Sequence, residues 1–376
     1  MTEHYLDNSA TTCVSEASAQ KALQLMRTNY ANPSSLHSMG FAASQELESA
    51  RQTVAKLIGA DSAEVYFTSG GTEANNLAIF GAVNAHKRAG NRIITSAFEH
   101  SSVYESMLEL QKQGFEVVFI KPDQTGSINA QQVVDAVDSK TILVSVMLIN
   151  NETGAINPIR EIALGAKRKN PKVLIHTDAV QAAGKTEVKV SRLCVDMLTL
   201  SGHKIHAPKG VGALYIKKGV RILPRNFGGK QEKKLRPGTE ALPLIGALGV
   251  AVQELDIAKS SDTVKALKDY TIQKLSHIED ITFNSPDNST PYILNFSVKG
   301  IRSETMLHHL ASMGVYVSSG SACSKGGKSH VLSALGLDAD TADSAIRVSF
   351  SKHNTTDDCD ALIEGITNGI ENLARR

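Results

Sequence analysis

The chain has 376 residues, and 40 Lys and Arg against 38 Asp and Glu leave a formal net charge of +2. One hydrophobic core rarely supports this length, so we expect two domains. The near-neutral charge argues against direct nucleic-acid binding. The longest uncharged apolar stretch, residues 241–253, contains a proline and is too short to span a bilayer. The amino terminus lacks a signal-peptide pattern. These features predict a cytoplasmic protein without a membrane partner.

Short apolar runs alternate with helical patterns along most of the chain. The runs are residues 64–68, 92–95, 116–120, 141–147, 172–177, 196–200 and 211–216. This alternation predicts an α/β fold with a mostly parallel, seven-stranded sheet covered by helices.

The carboxyl-terminal part has a different pattern. We expect one long helix from about residue 243 to 259, a boundary at the polar residues 260–262 and surface helix from there to residue 280. Runs at residues 293–298, 314–317 and 346–350 predict a smaller sheet with helices on one side.

The first motif follows the strand pattern at residues 64–68. There, Ser69, Gly70, Gly71 and Thr72 precede an apolar stretch typical of a helix. Exposed amides at a helix N-terminus, with glycines that permit close approach, form a phosphate site. The alternative is a simple turn with Thr72 as N-cap.

Two further strand patterns end in polar side chains. His100 follows the run that starts at residue 92, where a histidine is either structural or a group that stacks on a ring and moves protons. Asp178 follows the run 172–177, and Gln181 lies one helical turn further on. Asp178 is either a helix cap or a carboxylate for a pyridinium nitrogen, with Gln181 in reach of a phenolic oxygen.

A lysine follows the apolar run 196–200, in the sequence Ser201, Gly202, His203, Lys204. The alternative to function is an ordinary solvated lysine. However, lysine forms Schiff bases with pyridoxal phosphate when burial or a nearby cation lowers its pKa. The preceding motifs supply a phosphate seat, a carboxylate, a ring partner and a donor. Together they predict a pyridoxal 5'-phosphate site at the carboxyl edge of the sheet.

The cysteines Cys13, Cys194, Cys323 and Cys359 form no CxxC pair and no zinc spacing, which fits a reducing compartment and no metal. Cys323 differs from the others because its surroundings, residues 318–328, are small, polar and glycine-rich. We expect this loop to be exposed and mobile. Nearby Lys325 and Lys328 would favour the thiolate, which is the nucleophilic form.

These blocks resemble the NifS/IscS-type cysteine desulfurases, a branch of the class V aminotransferase-like pyridoxal phosphate enzymes. The resemblance runs through nearly the whole chain and is carried by residues 6–12, 32–35, 68–76, 150–154, 176–181, 201–204, 318–323 and 346–350. It implies pyridoxal phosphate fold type I, with a large cofactor-binding domain at residues 13–259 and a smaller α+β domain made of residues 1–12 and 260–376. It also implies a homodimer that converts L-cysteine to L-alanine and holds the sulfur as a persulfide.

The resemblance assigns roles to the site residues. Lys204, Cys323 and His100 would be catalytic, with Lys204 bound to the cofactor aldehyde, Cys323 as sulfur acceptor and His100 stacked on the ring. The cofactor would further contact Gly71, Thr72, Asp178, Gln181, Ser201, His203 and, from the neighbouring subunit, Thr239. The substrate would contact Asn32, Asn151 and Arg347. Without the resemblance, Arg347 would be interpreted as a solvent-facing strand residue.

Alternatives within and outside this chemistry stay open at this point. They are a selenocysteine lyase, a related class V aminotransferase, which would not need Cys323, and a non-catalytic interaction protein of the same fold. The sulfur acceptor is either a tRNA-thiolating enzyme or an iron-sulfur scaffold. Only five residues separate Cys323 from Ser329, the chain ends soon after Arg347, and Lys230 stands where the family commonly has a third glycine. The short loop and tail favour a dedicated acceptor such as the tRNA-thiolating enzyme, which itself would bind the tRNA.

Overall fold

Helices and strands alternate through the residues that a computed structural model describes, residues 2–319 and 329–375. The helices are α1 (Glu16–Arg27), α2 (Ser38–Ile58), α3 (Gly71–His86), α4 (Ser101–Lys112), α5 (Ala130–Ala136), α6 (Ile159–Lys169), α7 (Val190–Leu193), α8 (Leu242–Gln253), α9 (Ile257–Leu275), α10 (Ser303–Ser312), α11 (His330–Ala334), α12 (Ala339–Asp343) and α13 (Thr356–Asn372). None of these helices is long and apolar enough to cross a membrane.

Seven strands form the central sheet. They are β2 (Val65–Thr68), β3 (Arg92–Ser96), β4 (Glu116–Ile120), β5 (Thr141–Ser145), β6 (Leu174–Asp178), β7 (Met197–Ser201) and β8 (Gly212–Ile216), after the short amino-terminal β1 (His4–Tyr5). Their order is β2-β8-β7-β6-β5-β3-β4. In this sheet β8 runs antiparallel to both of its neighbours, and the other pairings are parallel. The predicted α/β fold with a mostly parallel sheet is confirmed.

Both faces of the central sheet are covered, which explains the continuous apolar runs in its strands. On β5, Leu143 belongs to the hydrophobic cluster that contains α3 and α4, while Val144 belongs to the cluster that contains α2, α6 and α8. The same alternation of neighbouring residues recurs at Leu174 and Ile175 of β6. Helices on both faces leave the edge at the carboxyl ends of the parallel strands as the natural place for a ligand.

A second, smaller unit is built on antiparallel strands. They are β9 (Ile281–Phe283), β10 (Ile293–Val298), β12 (Ser318–Ser319) and β13 (Ala345–Ser349), in the order β12-β13-β10-β9. Strand β1 pairs in parallel with β11 (Val315–Tyr316). Leu6 joins Phe296 and Val348 in a separate hydrophobic core. The amino terminus thus packs with the smaller unit, while the exact domain limits at residues 13 and 260 stay a prediction.

The single helix predicted from about residue 243 to 259 is wrong. The structure has two helices, because α8 ends at Gln253 and the Asp256 side chain caps α9 by accepting a hydrogen bond from the Lys259 amide at 3.1 Å. The polar residues 260–262, expected at a boundary, lie inside α9.

Candidate functional site

A cavity of about 390 Å³ lies at the carboxyl edge of the central sheet. The predicted site residues that line it are Gly71, Thr72, His100, Asn151, Asp178, Gln181, Ser201, His203, Lys204 and Arg347. It is also lined by residues that the sequence analysis did not single out, namely Ser9, Ala10, Asn75, Ser102, Met147 and Val180. The strand ends bring most of the predicted site together.

Lys204 lies in a short 3₁₀ turn directly after β7. Its Nζ donates hydrogen bonds to the main-chain carbonyls of Ser9 at 2.5 Å and Ala10 at 2.7 Å. The amino-terminal segment therefore holds the amine against the cavity. Lys204 is half-buried and its amine has two main-chain acceptors, so the alternative of an ordinary solvated lysine is wrong.

The N-terminus of α3 forms one end of the cavity. Gly70 is its N-cap and has no side chain to cap the helix, whereas Thr72 lies in the first turn, so the alternative with Thr72 as N-cap is wrong. A Cβ on Gly71 would lie 2.9 Å from Val180 Cγ2, so a larger residue would close this approach. The buried Ser201 side chain adjoins the same turn. Amides without a side-chain cap and a neighbouring hydroxyl fit a phosphate group.

His203 lines the same cavity and is half-buried, with Nδ1 3.3 Å from Thr11 Oγ1. Burial, and then the charge of Lys204, lower the pKa of His203 to about 4. Its imidazole is therefore neutral at pH 7. A neutral ring keeps one N–H donor, which suits a phosphate oxygen.

Asp178, the last residue of β6, is 4% exposed and uses its two oxygens differently. Oδ1 accepts a hydrogen bond from the Val180 amide at 2.9 Å, a contact within the turn that follows β6. Oδ2 accepts one from Asn75 Nδ2 at 2.6 Å. No helix follows β6, because residues 180–182 form a turn and the next helix is α7, so the helix-cap alternative is wrong. The carboxylate as a whole lines the cavity.

Asn75 connects Asp178 to His100. Its Nδ2 also donates to Ser102 Oγ at 2.9 Å, and that hydroxyl lies 2.8 Å from His100 Nδ1. The Ser102 amide donates to the same Nδ1 at 3.1 Å. Since Nδ1 accepts from a main-chain N–H, the proton of the neutral ring resides on Nε2. Burial lowers the pKa of His100, which favours that neutral form.

Arg347 on β13 is 5% exposed, so the alternative of a solvent-facing strand residue is wrong. Nη2 pairs with Asp7 Oδ1 at 2.8 Å, and Nη1 donates to the Asn151 carbonyl at 3.1 Å. Within the described residues, Arg347 Nε and Asn151 Oδ1 are buried without a hydrogen-bond partner. Buried donors without a partner are costly, and a substrate carboxylate would satisfy the guanidinium.

Two predicted residues, Asn32 and Thr239, do not line this cavity, and a third cannot be compared with it. Asn32 is exposed, and its Oδ1 accepts from the Ser34 amide at 2.9 Å. Thr239 is exposed and does not line the cavity of its own subunit. Cys323 lies outside the described residues. The roles of all three stay predictions.

The sequence analysis missed several buried groups around the cavity. Asn75 lies three residues after Thr72 and Lys185 four after Gln181, so their spacing was a signal that could have found them. Glu99, next to His100, is fully buried, and its Oε1 lies 2.5 Å from Ser96 Oγ and accepts from the Met147 amide at 2.9 Å. Burial raises the pKa of Glu99 to about 8, so it carries a proton at neutral pH.

These residues fit pyridoxal 5'-phosphate. The α3 N-terminus suits its phosphate, the buried Asp178 carboxylate suits its ring nitrogen, and the Lys204 amine suits its aldehyde. His100 lines the same cavity and presents a neutral ring.

Comparison with known proteins agrees with this site. The family model for class-V aminotransferases matches residues 4–362. The cysteine desulfurase IscS of Methanosarcina thermophila is 39% identical over 374 residues, which cover 98% of this chain and 92% of the relative. A solved NifS-like protein superposes with a TM-score of 0.94 at 35% identity, covering 99% of this chain and 100% of that one. A structure described as SspA in complex with cysteine gives a TM-score of 0.84 at 32% identity, covering 94% of this chain and 100% of that one.

Family members of this kind use pyridoxal phosphate and have fold type I, as the sequence analysis expected. This similarity extends over nearly the full length of the chain, and the cavity has a lysine, a carboxylate and a helix N-terminus that would fit that cofactor. The chain therefore belongs to the class-V aminotransferase family and, within it, to the NifS/IscS-type cysteine desulfurases, with pyridoxal 5'-phosphate as cofactor.

Proposed function

We propose that the protein is a cysteine desulfurase that converts L-cysteine to L-alanine, takes up the sulfur as a persulfide on Cys323 and passes it to an acceptor protein. The observation that carries this proposal is the composition of the cavity. It places the Lys204 amine, the buried Asp178 carboxylate and the guanidinium of Arg347, with its buried N–H, around one space. An amino acid with a free carboxylate fits between these groups, and a structural neighbour is described as a complex with cysteine.

The bound cofactor supplies an electron sink for the bonds at the substrate α-carbon. Arg347 and Asn151 hold the substrate carboxylate, which would replace part of the Asp7 contact. Lys204 Nζ would accept the α-proton, and His100, with its proton on Nε2, would supply a donor in the same cavity. The Cys323 thiolate attacks the substrate sulfur, so that an S–S bond forms while the C–S bond breaks. The electron pair stays on the carbon fragment, which takes up protons and leaves as alanine.

Replacement of the nucleophile tests the proposal. Cys323→Ala should keep the absorption of the bound cofactor, yet form no persulfide and release almost no alanine, because nothing accepts the sulfur. Cys13→Ala is the matched control, since Cys13 is an exposed thiol outside the cavity, and it should retain full activity. Undiminished alanine release by Cys323→Ala would remove the desulfurase assignment and favour an aminotransferase. Rates measured on cysteine and selenocysteine decide between desulfurase and selenocysteine lyase.

We also propose a homodimer. Large apolar side chains are exposed on α1, on α2 and in the segment between them, namely Leu23, Met26, Tyr30, Leu36, Met39 and Phe41. Such a surface is typical of an interface between subunits. Thr239, which is exposed away from the cavity of its own subunit, would then reach the phosphate seat of the neighbour.

The acceptor is proposed to be a dedicated partner such as a tRNA-thiolating enzyme, with an iron-sulfur scaffold as the alternative. The support is the spacing of five residues between Cys323 and Ser329, because a short loop limits the reach of the persulfide. Deletion of the gene should lower thiolated tRNA and spare iron-sulfur enzymes. Loss of iron-sulfur enzyme activity with thiolated tRNA intact would show that the scaffold is the acceptor.

A further inference from the structure

Lys185 is a buried lysine next to the cavity that the proposed mechanism does not use. Its side chain is 5% exposed, and Nζ donates a 2.8 Å hydrogen bond to Gln181 Oε1. Nζ also lies 5.6 Å from the centre of the Tyr292 ring. A lysine is rarely buried against a neutral amide, since desolvation of its charge is expensive. A cation kept at such a cost requires an explanation.

The contact determines how the Gln181 amide is oriented. The protonated Lys185 has donors and no acceptor, and the Ser9 carbonyl on the other side only accepts, so the amide oxygen faces Lys185. The Nε2 group then faces the other way, where it donates to the Ser9 carbonyl at 3.0 Å. Its second hydrogen stays available to an acceptor in the cavity that Gln181 lines. With the amide reversed, an oxygen would face the Ser9 carbonyl and the cavity instead.

We propose that Lys185 is a positioning residue that fixes the orientation of the Gln181 amide, so that Gln181 offers an N–H to the phenolic oxygen of the cofactor. This rests on the proposed function, because it takes pyridoxal 5'-phosphate as the occupant of the cavity. In the same orientation, the Gln181 Nε2 group donates to the Ser9 carbonyl, which also accepts the hydrogen bond from Lys204.

Electrostatics gives an alternative route by which Lys185 could act. Burial, followed by the charges of Lys204 and Arg347, lowers the pKa of Lys185 to about 7. The cation is therefore close enough to influence the Lys204 amine directly, without Gln181. The two routes differ in how the effect of changing Lys185 depends on Gln181. An effect that passes through Gln181 disappears when Gln181 is absent, whereas a direct effect of charge remains.

A double-mutant cycle separates these routes. The apoproteins of wild type, Lys185→Met, Gln181→Ala and the double variant are titrated with pyridoxal 5'-phosphate, and the absorption of the bound cofactor is followed against pH. Lys185→Met should weaken binding roughly tenfold, the effect of one lost hydrogen bond to a charged group. It should also raise the midpoint pH of the absorption change, because the anionic phenolic oxygen loses its donor. In the Gln181→Ala background, Lys185→Met should change the cofactor affinity by less than about twofold and the midpoint by less than about 0.2 pH unit. Changes of this size are within the usual error of additivity.

Two further variants guard against a simple loss of folding. Lys268→Met is the matched control, since Lys268 is a buried lysine outside the cavity that donates to Ser289 Oγ and the Thr290 carbonyl. It should lower the melting temperature without changing cofactor affinity. Gln181→Glu offers Lys185 an oxygen but the cavity no N–H. The variant loses the hydrogen bond to the Ser9 carbonyl but gains an ion pair with Lys185, so its apoprotein should melt close to wild type. It should still bind the cofactor at least as weakly as Lys185→Met.

Either of two results would overturn the inference. One is an equal loss of affinity from Lys185→Met with and without Gln181, which would assign the effect to charge alone. The other is unchanged affinity and midpoint in both Lys185→Met and Gln181→Glu. Failure of the wild-type protein to bind pyridoxal 5'-phosphate or to release alanine would instead contradict the proposed function, so the two failures are distinguishable.

Discussion

Single amides around the cavity each serve two partners. Asn75 donates both Nδ2 hydrogens, one to Asp178 and one to Ser102, and Ser102 in turn contacts His100. The carboxylate proposed for the ring nitrogen and the imidazole proposed for the ring face are thereby held by one buried side chain. A change at one of these groups is expected to disturb the other.

Asp178→Asn tests the carboxylate. The new side chain keeps an acceptor for the Val180 amide, but its NH₂ group meets the NH₂ group of Asn75 and it lacks the negative charge. We expect alanine release to fall at least about 100-fold, as when one preorganised electrostatic group is removed, with cofactor still bound at high concentration. Asp196→Asn is the control, a buried carboxylate outside the cavity that should affect stability and not kcat. Near-wild-type turnover of Asp178→Asn would show that the residue acts only through its contact with the Val180 amide.

Arg347→Lys tests carboxylate recognition. Lysine keeps the charge but loses the fork of N–H groups that binds a carboxylate with two parallel bonds. The KM for cysteine should rise about 10- to 100-fold, the value of a charged hydrogen bond, while kcat changes less. Arg51→Lys serves as control, because Arg51 makes a two-pronged pair with Glu232 outside the cavity. An unchanged KM in Arg347→Lys would exclude Arg347 from substrate binding.

At the level of elements, β6 is tied to both neighbouring strands through His176. This residue is 1% exposed, with Nδ1 2.8 Å from Ser145 Oγ on β5 and Nε2 3.1 Å from Thr199 Oγ1 on β7. Burial lowers the pKa of His176 from 6.5 to about 3. The neutral ring joins three adjacent strands just below the cavity, so its protonation matters for the sheet.

The stability that comes from this neutral histidine should depend on pH. The unfolded chain binds a proton at this residue below pH 6.5, whereas the folded chain resists until about pH 3. The contribution is fully present above pH 6.5 and declines as pH falls, by about 1.4 kcal/mol per unit. His176→Gln removes the titration, so its deficit in melting temperature relative to wild type should shrink from pH 7.5 to pH 5.5. A deficit that stays constant over this range would show that the fold does not lower the pKa of His176.

The elements were predictable where a local signal exists. The seven strands of the central sheet follow from their apolar runs, and the site residues follow from the turns after them. The antiparallel direction of β8 has no such signal, because its apolar run is like that of a parallel strand. The break between α8 and α9 did have one, the capping residue Asp256, which was not used. Contacts such as Asp7 with Arg347 join positions 340 residues apart, and spacing along the chain cannot show them.

At the scale of the whole molecule, the proposed dimer gives a test. Phe41 is 63% exposed on the apolar surface of α2, so Phe41→Glu should shift the protein towards monomer and weaken cofactor binding. Light scattering after gel filtration measures the mass. Leu164→Glu is the matched control, because Leu164 is an exposed apolar residue on α6 and should leave the mass unchanged. Thr239→Ala should keep the dimer and lower cofactor affinity. A fully active wild-type monomer would contradict all of these expectations.

The segment before Thr12 reaches both units of the molecule. Leu6 lies in the smaller core, Asp7 pairs with Arg347, and the carbonyls of Ser9 and Ala10 receive Lys204. Trimming of the amino terminus is a common step in preparing a protein for crystallisation. Here it would remove one wall of the cavity, although nearly all of the side chains that line the cavity would remain. An inactive trimmed protein would then be mistaken for one with a damaged catalytic residue. Restoring the first eleven residues should restore its activity.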